Sequence, residues 1–387
     1  MRAFTDAERR RRLVRRHGLG GGARAFEWVA KTLAGVHSTD PASVYLAAHA
    51  RGSASKPADV EQTLYEDRSV LRMLGMRRTL FVVPLDLMAA VQRGYTDRFV
   101  QRERTRLAGW LEETGVAGNG ERHIDDLEKL VLDFLADTEA PTREITAAIP
   151  ELQVRFTPPV GSATGTVSVG SRLVLLLTAG GKLARTRPLG TWISSQYRYT
   201  RIENWIGSAI PAMEPAKARA TLAHAWLQGY GPGTLTDLQW WSGWNLGQTR
   251  AALAAVDAVE VALDHGTGYV LADDLDDDGD AASSVALLPA LDSTPMGWKE
   301  REWYVGSHAD DLFDRNGNIG PTVWWDGRIV GGWAQADDGD IRIGLLEEVP
   351  GHVRDGVDEA ANDIARFVGE TRFTPRFRTP LEHRLRS

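Results

Sequence analysis

The sequence predicts an α+β protein with three tandem winged helix-turn-helix units followed by a C-terminal β-barrel-like domain. Up to Val256, helical segments with apolar residues at every third or fourth position alternate with short strands that carry arginine, and this outline repeats three times. From Asp257 onward, short apolar runs lie between turns of Gly, Asp and Asn, which is typical of a closed or partly closed β domain. At 387 residues, the chain is too long for one ordinary core, so several modules are expected.

The N-terminal helices and the first winged helix are expected within residues 1–115. Apolar spacing predicts helices over Phe26–Leu33 and Ala42–Arg51 and a long helix over Leu85–Leu107. The segment Arg77–Pro84 is predicted to be a strand, because β-branched and aromatic residues follow its two arginines. Helices followed by a short β-ribbon rich in arginine are the outline of a winged helix.

A second winged helix is expected over residues 116–210. The pair Asp125-Asp126 is predicted to cap a helix at Leu127–Leu135, which carries an apolar stripe at helical spacing. The alternating segment Lys182–Arg187 predicts a wing strand with its cations near the tip. Residues Phe156–Gly170 are predicted to form an inserted loop or hairpin.

The third winged helix is expected over residues 211–257. A helix at Ala216–Gln228, a Gly-Pro-Gly turn and a second short helix at Leu235–Trp241 give a helix-turn-helix outline, with Thr234 as the predicted cap. A third helix is predicted up to Val256.

The β domain is expected over residues 258–387. Its predicted strands end before a helix at Asp355–Val368. The tail Arg372–Arg378 is basic and aromatic inside an otherwise acidic half of the chain.

Charge is distributed unevenly along the chain. The formal net charge is −7, but residues from Asp257 onward carry −15 and the preceding part carries +8. Because the local face decides whether a protein binds phosphates, the basic front part keeps nucleic acid open as a partner. The alternative is that the acidic part merely adds solubility.

Several classes of site and location are not expected. The absence of Cys excludes disulfides, thiolate catalysis and thiolate zinc sites, and it fits a cytoplasmic protein. No run of eighteen apolar residues and no signal-peptide pattern is present, so no membrane association is expected. The nine His residues show no metal-ligand spacing, so we predict no metal and no cofactor.

One short stretch, Gly35–Pro41, is a candidate functional site. Asp40 followed by Pro41 predicts a helix start, because an Asp side chain accepts from the first free N–H groups and Pro fits the first helical position. His37, Ser38 and Thr39 therefore lead into a helix N-terminus, which favours an anion or an oriented water. The alternative is that His37 is a structural histidine.

Five segments in order resemble the bacterial winged-helix DNA glycosylases of the AlkZ and YcaQ kind. They are Gly35–Pro41, Arg77–Leu80, Tyr230–Asp237 with Trp240 and Trp241, Leu287–Asp292, and Asp326–Trp333. The resemblance covers most of the chain. It implies three tandem winged helices that support a C-terminal β-barrel in a concave shape that embraces DNA. It also implies removal of N-alkylated bases, in some members from interstrand crosslinks made by natural products.

The resemblance places the catalytic motif at His37, Ser38 and Thr39, where the family has Gln, an apolar or small residue, and Gln or Asp. Both functional positions therefore depart from the family. An N7-alkylated purine already carries positive charge, so its hydrolysis needs a positioned water and help for a cation-like transition state. We expect His37 to be a general base with a pKa near neutrality, Thr39 to orient the water and Asp40 to support the cation. The inserted Phe156–Gly170 is our candidate for an element on the lesion side.

The leading hypothesis is a monofunctional DNA glycosylase for bulky or alkylated purines, in one version a resistance protein of an antibiotic producer. Its partner is double-stranded, damaged DNA, and it is expected to act as a monomer because tandem units substitute for a dimer. The predicted phosphate contacts are Arg77, Arg78, Lys182, Arg185, Arg187, Arg198, Arg201, Arg376 and Arg378. The alternatives are a DNA-binding protein without chemistry, such as a regulator, and a winged-helix scaffold for protein–protein contacts.

Overall fold

A computed structural model describes residues 1–159, 165–276, 279 and 282–387, and it confirms the mixed α+β class. Up to residue 115, the elements are β1 (Ala3–Phe4), α1 (Asp6–Arg16), α2 (Phe26–Thr32), β2 (Val36–His37), α3 (Pro41–His49), α4 (Pro57–Glu61), β3 (Val70–Leu74), β4 (Leu80–Pro84), α5 (Leu85–Val91) and α6 (Asp97–Glu113). Strands β2, β4 and β3 form an antiparallel sheet in that order.

The next part of the chain again combines helices with a three-stranded sheet. Its elements are α7 (Gly120–Phe134), β5 (Ala140–Pro141), α8 (Thr142–Ala148), β6 (Arg155–Phe156), β7 (Val167–Ser168), α9 (Val169–Ala179), β8 (Leu183–Pro188), β9 (Tyr197–Arg201) and α10 (Ile202–Ile206). The sheet order is β5-β9-β8. Strands β6 and β7 pair as the base of a hairpin within the predicted insertion, and residues 160–164 of that insertion lie outside the described part.

Three helices and the remaining sheets complete the chain. They are α11 (Pro215–Tyr230), α12 (Leu235–Ser242), α13 (Leu246–Ala255), β10 (Val259–Leu263), β11 (Gly266–Val270), β12 (Val285–Leu288), α14 (Glu302–Val305), α15 (Ala309–Leu312), β13 (Thr322–Trp325), β14 (Arg328–Gln335), β15 (Ile341–Leu345), α16 (Gly351–Val368) and α17 (Pro380–Arg386). None of the described helices combines the length and apolar character needed to cross a membrane.

The predicted barrel-like C-terminal domain is not confirmed. Among the described residues, β12, β13, β14 and β15 form an open antiparallel sheet in chain order, and β10 and β11 pair instead with β1 from the N-terminus. Helix α16 packs against β12 and β15, and α17 packs against β14 and β15. Helices therefore pack against this sheet, whereas the prediction was that its strands close or partly close into a barrel.

Two boundaries in the first unit differ from the prediction. Arg77–Pro84 is not one strand, because Met76–Arg78 forms a 3₁₀ turn with φ of 54° at Arg77 and 63° at Arg78, and the strand starts at Leu80. Left-handed backbone at two successive non-Gly residues is strained and typical of functional or tightly constrained segments. The helix predicted over Leu85–Leu107 contains a π-helical turn between α5 and α6.

The helix predicted to start after Asp125-Asp126 starts earlier. Asn119 is the cap, with its side-chain oxygen accepting from the Arg122 N–H at 2.9 Å. The apolar stripe continues back to Ile124, which is fully buried. The prediction was wrong because Asn and Asp are comparable caps and both occur at this end of the helix.

The turn of the third unit is confirmed. The Thr234 hydroxyl accepts from the Asp237 N–H at 3.1 Å, and the Asp237 carboxylate accepts from the Thr234 N–H at 3.0 Å, which is a capping box. Gly243, with φ of 74°, ends the helix in the left-handed conformation.

Two main apolar cores hold the chain together. One is formed by residues of α6 to α9 and the start of β8. The larger one joins the first unit, the third unit and the C-terminal sheet. Segments far apart in sequence therefore share one core, which brings the C-terminal part into contact with α3.

A buried ion pair crosses this larger core. Arg51, just after α3, donates to both carboxylate oxygens of Asp292 at 2.9 and 2.7 Å, and both side chains are completely buried. Arg51 also donates to the hydroxyl of Thr294 at 2.8 Å and to the carbonyl of His17 at 2.9 Å. Every donor of the guanidinium fork is thus directed to a partner, which is the condition under which a buried charge is tolerated.

Removing one side of this pair is expected to destabilise the fold strongly. Arg51→Ala leaves the Asp292 carboxylate buried without its cation, and we expect a loss of about 3–5 kcal/mol in the free energy of unfolding, measured with urea. The matched control is Lys31→Ala, because the Lys31–Asp86 pair is more than half exposed and should contribute less than about 1 kcal/mol. Equal losses in both variants would contradict this assignment.

Candidate active site and nucleic-acid interface

The predicted helix start at Asp40 and Pro41 is confirmed. Asp40 has an extended backbone, and its carboxylate accepts from the Ala42 N–H at 3.2 Å, while Pro41 occupies the first helical position of α3. The preceding three residues therefore lie at a helix N-terminus, where unpaired N–H groups favour negative charge and oriented water.

The motif is held against strand β4. Within β2, His37 pairs with Phe81, and the next residue, Ser38, donates its N–H to the Leu80 carbonyl at 2.7 Å. The Thr39 hydroxyl oxygen accepts from the Leu80 N–H at 3.3 Å. The lone pair of Thr39 that accepts this hydrogen bond is no longer available to a water. The hydroxyl hydrogen of Thr39 can still be donated to a water.

The loop after β12 holds the other side of the motif. The Ser293 hydroxyl accepts from the His37 N–H at 2.8 Å and donates to the Gly35 carbonyl at 2.9 Å. The Ser43 hydroxyl donates to the Ala290 carbonyl at 2.6 Å. Tyr230, the last residue of α11, donates its hydroxyl to the Ser293 carbonyl at 3.1 Å. Three of the segments that carry the family resemblance thus meet at one place.

The His37 ring lies in an apolar environment. The residue is 3% exposed, its ring meets Phe81 edge-on at 5.2 Å between centroids, and its buried Nδ1 has no hydrogen-bond partner among the described residues. Burial, assisted by the positive charge of Arg77, lowers the pKa of His37 to about 3. The expectation of a general base with a pKa near neutrality is therefore wrong, since this ring is neutral at physiological pH and binds a proton weakly.

Sequence reasoning missed Arg72, which stands behind Ser38. Its Nε donates to the Ser38 hydroxyl at 2.8 Å, one terminal nitrogen donates to the Tyr65 hydroxyl at 3.0 Å, and its guanidinium lies over the ring of Tyr197 at 4.8 Å. Arg72 is buried in β3, whose residues are all buried. An arginine inside an otherwise apolar strand is the only signal that could have identified it.

The C-terminal tail closes over Asp40. The Arg376 N–H donates to the second carboxylate oxygen of Asp40 at 3.2 Å, so both oxygens accept from backbone. Burial raises the pKa of Asp40, although the two N–H donors and the Arg376 charge oppose the rise. The tail, predicted only as a basic segment, is therefore part of the wall of the candidate site.

A second carboxyl group, Glu382, was also missed. It is 1% exposed, and neither of its carboxylate oxygens has a hydrogen-bond partner among the described residues. Burial raises the pKa of Glu382 to about 7, with Arg386 and Arg378 opposing the rise and the negative charge of Asp40 adding to it. The spacing from Thr379 to Glu382 is that of a helix cap, so the sequence indicates a cap rather than a neighbour of Asp40.

The two arginines of the strained turn have different environments. Arg77 is half-buried, with its guanidinium 3.8 Å from the ring centroid of Trp240, and burial together with the charge of Arg301 lowers the pKa of Arg77 to about 10. Arg78 is exposed. Of the two, Arg78 has the geometry of a phosphate contact.

The predicted cluster of cations at the tip of the second wing is not formed. The turn between β8 and β9 comprises residues 189–196, so Lys182 lies at the opposite end of the hairpin, where it forms an ion pair with Glu128. Arg185 is 6% exposed, and burial lowers its pKa. Arg185 lies in a run of four buried residues at the start of β8, whereas Arg187 is exposed beyond a shift in strand register between Arg185 and Pro188.

Two more of the predicted contacts are paired with acids. Arg187 donates to Glu61 at 2.6 Å and to Glu66 at 2.8 Å. Arg201 donates to the carbonyl of Leu132 at 2.5 Å and lies 3.4 Å from Asp133. A cation already neutralised by carboxylates has less to gain from a phosphate.

The remaining predicted contacts, Arg198, Arg376 and Arg378, are exposed. In the part of the chain that the structure describes, no group of three or more His, Cys, Asp or Glu side chains could hold a metal ion. Asp274, one of the acidic residues of the C-terminal half, forms ion pairs with Arg12 and Arg16.

Comparison with known proteins finds a matching family model and a similar solved structure among those that match. The family model described as "DNA glycosylase AlkZ-like" matches residues 30–367. The structure of the Streptomyces sahachiroi DNA glycosylase AlkZ has a TM-score of 0.69, with 20% sequence identity over 96% of this chain and 98% of that one. At this identity the likeness shows the fold. A search of curated proteins by sequence gives no match.

The environment of Glu382 predicts how stability depends on pH. The folded protein keeps the Glu382 proton up to about pH 7, whereas the unfolded chain loses it near the ordinary pKa of 4.5, so stability falls as the pH rises between these values. Glu382→Gln, which cannot ionise, should raise the free energy of unfolding by about 2–3 kcal/mol at about pH 8. The gain should vanish below about pH 4.5, as followed by urea unfolding at several pH values.

The matched control is Glu359→Gln, on an exposed position of α16. It should leave the pH dependence of stability as it is in the wild type. A Glu382→Gln protein that is less stable than wild type at high pH would show that the carboxylate form makes a stabilising contact.

Proposed function

Because the chain belongs to the family of AlkZ-like DNA glycosylases, we propose that it removes N-alkylated purine bases from double-stranded DNA by hydrolysing the N-glycosidic bond. The observation that carries the proposal is the stretch from His37 to Asp40, which lies at the N-terminus of α3 and is held in place by β4, the Ser293 loop and the C-terminal tail. A motif fixed from three sides is pre-organised for chemistry.

The chemistry divides between the leaving base and the attacking water. In a base alkylated at N7 or N3, the glycosidic bond breaks with its electron pair moving to the cationic purine, which leaves as a neutral base. Water forms the new bond to the anomeric carbon and releases its proton. The protein therefore has to place that water and to stabilise the positive charge that develops on the sugar.

His37 and Thr39 are proposed to position the water. A neutral imidazole both donates and accepts hydrogen bonds, so the low pKa of His37 suits orientation of a water better than removal of its proton. Thr39 contributes its hydroxyl hydrogen. Asp40, whose carboxylate is fixed by two N–H donors, is proposed to stabilise the sugar cation and to receive the proton of the water.

The finer architecture belongs to the same proposal. We propose that 1–115 holds the N-terminal helices and the first winged helix, that 116–210 and 211–257 are the second and third, and that the three support the C-terminal β domain at 258–387. Larger N7 adducts and interstrand crosslinks are included among the proposed substrates. The hairpin based on β6 and β7 is the proposed element on the lesion side.

A non-catalytic DNA-binding protein is the second candidate. The departure of both functional positions from the family motif, to His37 and Thr39, favours it. A neutral, buried histidine is also a common structural feature, so the burial of His37 does not by itself require catalysis.

Base release from a duplex with one N7-methylguanine tests the proposal. In single-turnover conditions, we expect release by wild type and a loss of about 100-fold in Asp40→Asn and in His37→Ala. His352→Ala, an exposed histidine on α16, should stay within about twofold of wild type.

The outcomes separate the candidates. Release by wild type and by His37→Ala at equal rates would keep the enzyme and remove His37 from the site. No release by wild type, with the duplex still bound, both for this lesion and for a bulkier N7 adduct, would favour the non-catalytic protein.

The pH dependence separates the two possible roles of His37. With a pKa of about 3, His37 has the same protonation state throughout neutral and mildly acidic solution. The ratio of wild-type to His37→Ala rates should therefore be constant from about pH 5 to about pH 8, because titration of other groups affects both proteins alike. A ratio that rises tenfold per pH unit in this range would identify His37 as a general base.

A further inference from the structure

Helix α6 carries a row of arginines on one face. Arg98, Arg102 and Arg106 follow one another at intervals of four residues, and Trp110 continues the row. Residues four apart lie above one another on a helix, so these side chains share a face. The three arginines rise about 12 Å along the axis, which corresponds to three or four base-pair steps of one DNA strand.

Two arginines from other elements extend this row. The guanidinium groups of Arg78 and Arg102 both lie 6.0 Å from the ring centroid of Phe99. Arg172, on α9, lies 5.8 Å from the ring centroid of Trp110. The five arginines 78, 98, 102, 106 and 172 are called the arginine row below.

The aromatic rings hold the guanidinium groups in place. Arg106 lies 5.1 Å from the Trp110 centroid, which is shared with Arg172. Stacking on a ring limits the rotamers of a long side chain while its N–H edges remain available. A ligand that binds these edges therefore has less side-chain freedom to immobilise.

The arginine row is poorly neutralised. Among the described residues, only Arg106 of the five has a carboxylate within ion-pair distance, that of Glu103. The pKa of Arg106 is lowered by burial and by the positive charges of Arg172, Arg102 and Arg78. Positive side chains that repel one another are stabilised by a bound anion.

Arg104 gives an internal comparison on the same helix. It lies off the row and contacts three carboxylates, those of Glu121 at 2.7 Å, Asp125 at 2.7 Å and Glu128 at 3.7 Å. Helix α6 therefore has one arginine satisfied by α7 and a separate face on which, among the described residues, Arg98 and Arg102 have no carboxylate within ion-pair distance.

The surface beside the row is open. A depression of about 580 Å³ is lined by Arg98, Gln101, Arg102, Thr105 and Arg106, with no acidic side chain in its lining. The row also starts next to the candidate site. Arg78 follows Arg77, whose positive charge contributes to the low pKa of His37, and the chain then enters β4, which supports the site.

We propose that the arginine row binds the sugar-phosphate backbone of one strand of the duplex that flanks the target base. This inference rests on the proposed function, because that function supplies the ligand, DNA. Of the phosphate contacts predicted from the sequence, only Arg78 belongs to this surface. The contacts are to phosphates, so binding through the row is independent of base sequence. Leu175, an exposed apolar residue nearby, would suit an apolar partner. The positive charge of the row instead favours DNA, because its backbone is negatively charged.

The test compares Arg102→Gln/Arg106→Gln with Arg104→Gln. Binding of an undamaged duplex of about 20 base pairs is measured by fluorescence anisotropy over a series of KCl concentrations. The double variant should bind about tenfold more weakly at about 0.1 M salt and should lower the salt slope by about 1.8, which is two phosphate contacts. Arg104→Gln should stay within about twofold of wild type, with the same slope.

The single variant Arg98→Gln provides a second measurement at an exposed position, where folding is not at risk. It should lower the slope by about 0.9. Thermal unfolding of all variants checks that binding is compared between folded proteins.

The outcomes for the row and for the proposed enzyme are separate. Slopes in Arg98→Gln and the double variant that equal those of wild type and Arg104→Gln would overturn the row, even if wild type releases bases. Reduced slopes without base release would support the row and contradict the glycosylase. If the wild type does not bind the duplex at low salt, both the row and the proposed enzyme are overturned. If the row variants then also lose self-association, the row is an interface between protein molecules instead.

Discussion

The buried ion pair between Arg51 and Asp292 is the interaction on which the rest of the arrangement depends. It joins the end of α3 to the loop after β12, across 241 residues of sequence, and neither charge reaches solvent. Because an unpaired buried charge is so unfavourable, the two parts of the chain are stable only when docked in this one register. The residue that follows Asp292 is Ser293, whose hydroxyl holds the backbone of Gly35 and His37. The ion pair therefore determines the position of the candidate site without belonging to it.

The candidate site is assembled by contacts that are long-range in sequence. Strand β4 supports Ser38 and Thr39, the Ser293 loop supports His37, and the tail at Arg376 supports Asp40. Helix α3 alone would present the same residues at its N-terminus, but without these contacts the chain leading into it would be free to move. Tail residues beyond 367 lie outside the family match, yet they contact Asp40 directly. The geometry of the candidate site is thus completed by a segment that lies outside the family match.

Local signals predicted local structure well. The Asp40-Pro41 start and the Thr234 cap each follow from one or two residues whose preferences do not depend on the rest of the fold. Properties that depend on tertiary contacts were not predictable in this way. The low pKa of His37 results from burial against Phe81 and from the charge of Arg77, and Arg185 is buried although Arg187 on the same strand is exposed. The open C-terminal sheet depends on α16 and α17 packing against it, which no pattern in the strands records.

The environments of the predicted cationic contacts also depend on tertiary structure, and this affects which of them can bind DNA. The positions of basic residues in the sequence placed part of the predicted DNA contacts on the second wing, where Lys182 and Arg187 turn out to be satisfied by Glu128, Glu61 and Glu66. Formal charge is therefore a poor guide, because a cation attracts a phosphate only to the extent that the protein has left it without an anion. On α6 the distinction is made within one helix, since α7 supplies carboxylates to Arg104 and none to Arg98 or Arg102. In our two proposals, binding and chemistry therefore belong to different parts of the protein, the arginine row and the segment that contains the buried His37.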